Sequence, residues 1–468
     1  MDIQNLRASF SGRLYTDPTE TAPFLTDWRR KWTGQAIAVA QPETTQGVSA
    51  VVRWCQAHGV AVVPQGGNTG LSGGATPGAS GRSLVLSLAR LNRVRGVDAV
   101  NNTMAVEAGV TLQQVQAAAE DAGRYFPLSL AAEGTCTIGG NLATNAGGVQ
   151  VLRYGNAREL CLGLEVVTPT GDIWDGLRGL RKDNTGYDLR DLYIGSEGTL
   201  GVITAAVLKT WPQPKARIAS FIAVPSPESA VQLLALAQDQ LASQLTAFEL
   251  MDDTCVSLVE KHVGSVRLPL ADRSPWYVLL EVSHSASEAQ AIGALEPVLE
   301  AVLERGWATD AVLSSSVAQF RNLWALRENI SEAQGAEGPT IKHDIALPIS
   351  RVAHFVQQVS PAIQSGFPGA RPVIFGHLGD GNLHFNVSPP LGCEPSAFAS
   401  WEEPLNRLVH DAVDAAHGSI SAEHGLGVLR RDESSRYKSA VELGLMSALK
   451  HALDPNGLMN PGKVLPLG

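Results

Sequence analysis

The sequence predicts an α+β fold in three parts, and three observations lead there. First, its 468 residues include 46 glycines, concentrated in 66–81, 134–148, 195–201 and 376–381. That is more than the usual ~7%, and clustered glycine brings backbone close to a ligand. Residues 1–214 therefore read as a ligand-binding domain. Second, after Pro214 strand and helix patterns alternate in lengths that suit a compact antiparallel module over 215–403. Third, from about Pro404 the pattern is mostly helical and ends in LDPNGLMNPGKVLP, so 404–468 read as a helical C-terminal part.

Each element has its own signal. Apolar residues at helical spacing predict a helix over 44–58, ended by Gly59. Val60–Pro64 is a short strand entering the first glycine loop, and Ser83–Leu88 is another. Thr111 is a natural N-cap for a helix carrying Leu112, Val115 and Ala119, closed by Gly123. Residues 162–174 read as two strands around a Pro-Thr-Gly-Asp turn. Gly201–Thr210 is a strand, and Trp211-Pro212-Gln213-Pro214 a linker. Further on, strands are expected at Ile218–Val224, Trp276–Val282 and Lys342–Leu347. Helices are expected at Pro227–Leu241, Ser287–Arg305 and Gln319–Gln334.

Composition excludes several classes. Hydrophobic residues make up 44% and charged residues 18%, as in globular rather than disordered chains. A net charge of -10 and the absence of a basic run argue against a nucleic-acid partner. The five cysteines form no C-x-x-C pattern and read as reduced thiols. No apolar signal core opens the chain and no run of about 18 apolar residues occurs, so a soluble, cytoplasmic protein with no membrane span is expected.

Three segments look built for one long ligand: PQGGNTGLSGG (64–74), FPLSLAAEGTCTIGGNLATNAGG (126–148) and YIGSEGTLGVIT (193–204). Glycines let backbone N–H groups approach a pyrophosphate. Neither the G-x-G-x-x-G fingerprint nor a Gly-Lys-Ser/Thr loop is present. Together with RYGNAREL (153–160), these segments resemble the FAD-binding domain of the vanillyl-alcohol-oxidase type of flavoprotein. Within it they resemble the FAD-dependent D-2-hydroxyacid dehydrogenase family, and WDGLRGLRKDNTGYDL (174–189) is most similar to its D-2-hydroxyglutarate members. The resemblance runs from about residue 40 to 466. It implies a two-part FAD-binding domain, an antiparallel-sheet substrate (cap) domain, and a C-terminal part closing the active site against FAD.

The same resemblance implies the cofactor residues. Pro64, Gly66, Gly67, Asn68, Thr69, Gly70, Ser72, Gly73 and Gly74 would cradle the pyrophosphate. Pro127, Gly134, Thr135, Gly139, Gly140, Asn141, Thr144, Asn145 and Gly148 would line the rest of the FAD path. Glu197, Gly198, Gly201, Ile203 and Asn460 would complete it. No histidine occurs in 64–74, so the FAD is expected to be non-covalent.

The stretch FGHLGDGNLHFNV (375–387) reads as a hairpin. With a four-residue loop over Gly379–Asn382, His377 pairs with His384, and opposed residues share a face. Two imidazoles so placed can ligate one metal ion, or they are simply two half-exposed strand histidines. Asn386 shares the face of His384. Asp380 reads as turn chemistry. In SAEHGLG (421–427), Glu423 and His424 are adjacent and should diverge, one toward metal and one toward substrate. The resemblance implies His377, His384 and Glu423 as ligands of a divalent metal, zinc by expectation, and His424 as catalytic base. His410 and His417 read as structural or exposed. Arg327 and Ser331, at i and i+4, should share a helical face. With Lys342 they are either a carboxylate anchor or ordinary surface ion-pair partners, and the resemblance implies the anchor.

The function so implied is metal-assisted oxidation of D-2-hydroxyglutarate to 2-oxoglutarate, with D-malate as a second substrate. The metal polarises the hydroxyl, His424 takes its proton and the flavin takes the hydride. The substrate's C1 end would meet the metal and Asn386, and its C5 carboxylate Arg327, Ser331 and Lys342. Electrons would pass to an external acceptor such as an electron-transfer flavoprotein, and a homodimer is one open assembly. The alternatives are a D-lactate or glycolate dehydrogenase of the same family, a flavin-free metal-dependent hydrolase or binding protein, and a non-catalytic FAD protein.

Overall fold

The computed structural model describes residues 3–466, which divide into two units. The first is built from the segments up to Gly147, Gly155–Gln213 and Glu423 onward; the second from Gly148–Tyr154 and Pro214–Ala422. The break at Gln213 lies one residue from the expected boundary. The C-terminal part does not stand alone. Residues 404–422 belong to the second unit, and the chain from Glu423 belongs to the first.

In the first unit a four-stranded sheet runs Gly12–Tyr15, Ala38–Pro42, Ser83–Ser87, Ala61–Gln65, parallel among the last three. The helix Thr45–His58 links two of its strands. Thr44 caps the helix by accepting from the Gly47 N–H, and Gly59 ends it at φ +61°. A second, antiparallel sheet runs Val94–Asp98, Thr103–Glu107, Val202–Lys209, Cys161–Val167, Ile173–Gly176. Thr111 and Gln114 form a full capping box on the helix Leu112–Asp121. The expected linker is partly strand, because Trp211 and Pro212 pair with Tyr125 and Arg124. Proline is tolerated in so short an edge pair.

The second unit is one antiparallel seven-stranded sheet. Its order is Asp310–Leu313, Ala216–Val224, Trp276–His284, Leu245–Asp252, Arg371–Gly376, Asn382–Ser388, Asp344–Ala346. Phe221, Met251, Tyr277 and Phe375 pack with Leu323 and Trp324 in its core. The α+β expectation holds. The strand Leu245–Asp252 and the helix Asp253–His262 were not anticipated. The helix expected over 319–334 is interrupted: Val317–Glu328 ends at Asn329, whose side chain donates to the Ala325 carbonyl, and Ile330–Ala336 begins afresh. No helix among the described residues is long and apolar enough to cross a membrane.

Candidate functional site

The first unit carries a cleft lined by all three glycine segments, with about 930 Å³ of empty space, solvent at its mouth included. Of the residues expected to hold FAD, Pro64, Gly66, Gly67, Asn68, Thr69, Gly70, Ser72, Gly74, Gly139, Gly140, Asn141, Thr144, Glu197, Gly198, Gly201 and Ile203 line it, and so does His424. The glycines are required by contact. A Cβ on Gly66 would stand 2.4 Å from Thr137 Oγ1, one on Gly67 2.0 Å from the Thr135 carbonyl, and one on Gly139 2.6 Å from Ala108 Cβ. Thr137 Oγ1 is buried in the cleft wall without a hydrogen-bond partner. Narrow glycine backbone beside an unsatisfied hydroxyl fits a polar cofactor.

Seven expected residues lie outside this lining. Gly73 turns against the Trp32 ring, 2.9 Å from its would-be Cβ. Pro127 is buried, while Gly134 and Thr135 are exposed. Asn145 accepts the Arg158 N–H, and Gly148 belongs to the second unit. Asn460 acts from behind, donating to the carbonyls of Gly74 and Glu197 at 2.9 and 2.7 Å. The lining also includes Gln65, Cys136, Thr137 and Ser196, which lie inside the same segments but were not singled out from them.

Glu197 has φ +52°, which a side chain with a Cβ resists, so its surroundings must hold it there. Its N–H donates to Ala143, and its buried carboxylate accepts from Leu426 N and Gly427 N at 2.7 and 2.9 Å. Burial raises its carboxyl above the ordinary range, those two backbone donors opposing. Its carboxylate therefore clamps the chain after His424. Ser72 completes the clamp, with Oγ 3.2 Å from the His424 carbonyl. Glu423 and His424 diverge little, with Oε1 and Nε2 3.8 Å apart.

The second unit carries the histidine hairpin. The register differs from expectation: His384 faces Phe375, and the strand stops at Gly376. A Cβ on Gly376 would lie 2.4 Å from the Asn382 carbonyl. His377 thus sits in the loop, where its carbonyl accepts from Asp380 N and Gly381 N. The slip is of two residues, which preserves the face. The two imidazoles still meet edge to face, centroids 5.7 Å apart. Asp380 accepts the Asn382 N–H, as turn chemistry requires.

Two carboxylates missed in the sequence stand behind these rings. Glu249, fully buried on Leu245–Asp252, faces His377 Nδ1 at 2.8 Å and Arg327 Nε at 2.7 Å. Burial would raise its carboxyl, and the facing His377 and Arg327 outweigh that to hold it below the ordinary range. Asp344 pairs with His384 across the sheet, its Oδ1 4.0 Å from Nδ1. Acids in an otherwise apolar strand run, LTAFELMD, were the available signal for Glu249, since a buried charge needs partners. Only His377 Nδ1 is within hydrogen-bond distance of its carboxylate, the usual arrangement behind a histidine ligand; the His384 contact is too long for one.

Arg327 is buried with its guanidinium 4.8 Å over the Phe375 ring. Ser331 is exposed on the following helix, one turn past Arg327. Lys342 falls opposite Asn386, between the pairs Ile341↔Val387 and Asp344↔His384. Asn386 is buried and donates to Gln334 at 2.9 Å. His410 is buried with its ring edge-on to His343, and His417 is exposed.

Residues 36–176 match the family described as FAD binding domain, and 213–464 the family described as FAD linked oxidases, C-terminal domain. The chain is 42% identical over 452 residues to D-2-hydroxyglutarate dehydrogenase of Xanthomonas citri pv. viticola, covering 97% of this chain and 94% of that protein. It is 41% identical over 469 residues to the mitochondrial D-2-hydroxyglutarate dehydrogenase of Bos taurus, covering 99% and 83%. Among solved structures, p-cresol methylhydroxylase with substrate bound superimposes with a TM-score of 0.76 at 15% identity, covering 99% of this chain and 96% of that one.

Proposed function

The chain belongs to the family of FAD-dependent D-2-hydroxyglutarate dehydrogenases, and from that premise we propose that it oxidises D-2-hydroxyglutarate to 2-oxoglutarate, with D-malate as a second substrate. When bound, FAD supplies a two-electron acceptor, and a divalent metal, zinc in this proposal, supplies Lewis acidity. His377, His384 and Glu423 are the proposed metal ligands. His424, on the wall of the cleft, is the proposed base, since a neutral imidazole can accept the hydroxyl proton. On the family resemblance alone, an electron-transfer flavoprotein would serve as the external electron acceptor.

One observation carries the dicarboxylate preference. Arg327 is buried, only its Nε is bonded to protein, and the remaining N–H groups of the fork have no protein acceptor among the described residues. A carboxylate fits that fork bidentately. Lys342 supplies a further donor for that carboxylate, while Asn386, opposed to it across the sheet, is the proposed donor at the C1 end.

Anaerobic flavin bleaching against D- and L-2-hydroxy acids tests the reading. D-2-hydroxyglutarate should bleach the flavin at least tenfold more efficiently than D-lactate. Equal efficiency would make it a monocarboxylate enzyme, and no bleaching by any 2-hydroxy acid would reject dehydrogenation. His424→Ala should keep stoichiometric FAD and lose roughly 10²–10⁴-fold in reduction rate. Fast reduction in that variant would remove the base assignment.

A further inference from the structure

Glu249 sits in the middle of the seven-stranded sheet, with a side chain that is 0% exposed. The pair Leu250↔Gly376 places it opposite His377. Its two oxygens are divided: Oε1 lies 2.8 Å from His377 Nδ1, and Oε2 2.7 Å from Arg327 Nε. These are the two groups that the proposed function assigns to different ends of the substrate.

We infer that Glu249 is a positioning residue shared by the metal-ligand histidine and the carboxylate-binding arginine. Accepting from Nδ1 fixes the His377 tautomer and turns Nε2 outward as a lone-pair donor. Accepting from Nε fixes the guanidinium within its plane, while the Phe375 ring, 4.8 Å from the guanidinium carbon, fixes the plane itself. The terminal N–H groups are thereby aimed as a fork. A buried ion pair is a poor device for stability alone, because desolvation costs about as much as the attraction returns. Holding two groups at a set distance is a job an apolar replacement could not do. The inference rests on the proposed function, and it adds that metal affinity and dicarboxylate selectivity share one carboxylate.

The test uses holoenzyme carrying Glu249→Gln, with three readouts: zinc affinity by chelator competition, the ratio of kcat/KM for D-2-hydroxyglutarate over D-lactate, and bound FAD. Zinc affinity should fall 10–100-fold, the substrate ratio should fall at least tenfold, and FAD should stay stoichiometric. Zinc affinity within twofold of wild type, or an unchanged substrate ratio, overturns the shared role. Should Glu249→Gln fail to fold, Glu249→Asp is read by the same criteria, because a carboxylate one methylene shorter cannot reach both partners. Retention of both properties in Glu249→Asp overturns the inference. Wild-type protein that binds no zinc overturns the metal reading itself, and this inference with it, before any variant is compared.

Discussion

Lys463 is 5% exposed, and burial lowers its amine to about 8, with Glu197 pulling the other way and Arg431 adding to the fall. The consequence for stability has a definite sign. Below pH 8 the lysine is charged both folded and unfolded, and the folded state bears the cost of burying it. Between 8 and the unfolded value of about 10.4, the folded chain has released its proton while the unfolded chain keeps it, so stability rises with pH. The rise is on the order of 3 kcal/mol, from about 2.4 pH units at ~1.4 kcal/mol each. Urea unfolding of flavin-free protein from pH 7.5 to 10.5 should show it, and Lys463→Met should remove it from the difference between the two curves. Parallel curves would mean the amine reaches water. Glu197 makes a second residue-scale case. Glu197→Gln turns an amide N–H toward the Leu426 or Gly427 N–H and loses one bond, worth about 1–3 kcal/mol. Flavin retained on gel filtration should fall; full retention would show that the 425–427 clamp is dispensable.

Elements with local causes were legible, and those with distant causes were not. Pro227–Leu241 was read to the residue, because Ser226 caps it and its apolar spacing is local. Thr111 and Gly123 likewise bracket their helix through their own side chain and φ. Leu245–Asp252 was missed because every position is buried, so it shows no alternation, and its acids answer to partners far along the chain: Glu249 to Arg327 and His377, Asp252 to Ile374 N. The hairpin was legible as a hairpin and as a histidine pair. Its register was not, because the close approach of Gly376 to the Asn382 carbonyl exists only once the chain has folded. That makes a prediction for the element. Gly376→Ala puts a methyl 2.4 Å from the Asn382 carbonyl and should cost about 1–3 kcal/mol. Zinc affinity should weaken by tenfold or more while bound FAD is kept. Wild-type zinc affinity in Gly376→Ala would show that the hairpin tolerates a second register.

At the scale of the molecule, the last stretch of chain returns to the first unit and is woven into it. Val62 N donates to the Leu458 carbonyl, and Asn460 N to the Val62 carbonyl, both at 2.8 Å, so the tail adds to the edge of the four-stranded sheet. Lys450 donates to the carbonyls of Thr199 and Met459 and pairs with Asp454. Glu197 takes its two backbone donors from 426 and 427, and Asn460 ties Gly74 to Glu197. A chain ended after Ala422 would keep every glycine of the three cofactor segments. It would also leave a buried carboxylate without donors, open a strand edge, and remove the His424 wall of the cleft. The sequence motifs would be intact and the site would not. Such a truncation should therefore lose FAD and the urea transition of the first unit. The seven-stranded sheet would lose none of its strands, because its topology lies wholly within 216–388. Flavin absorbance after gel filtration and a two-probe unfolding curve measure both. A truncated protein that holds stoichiometric FAD with an unchanged midpoint would mean that the first unit is complete without its C-terminal segment.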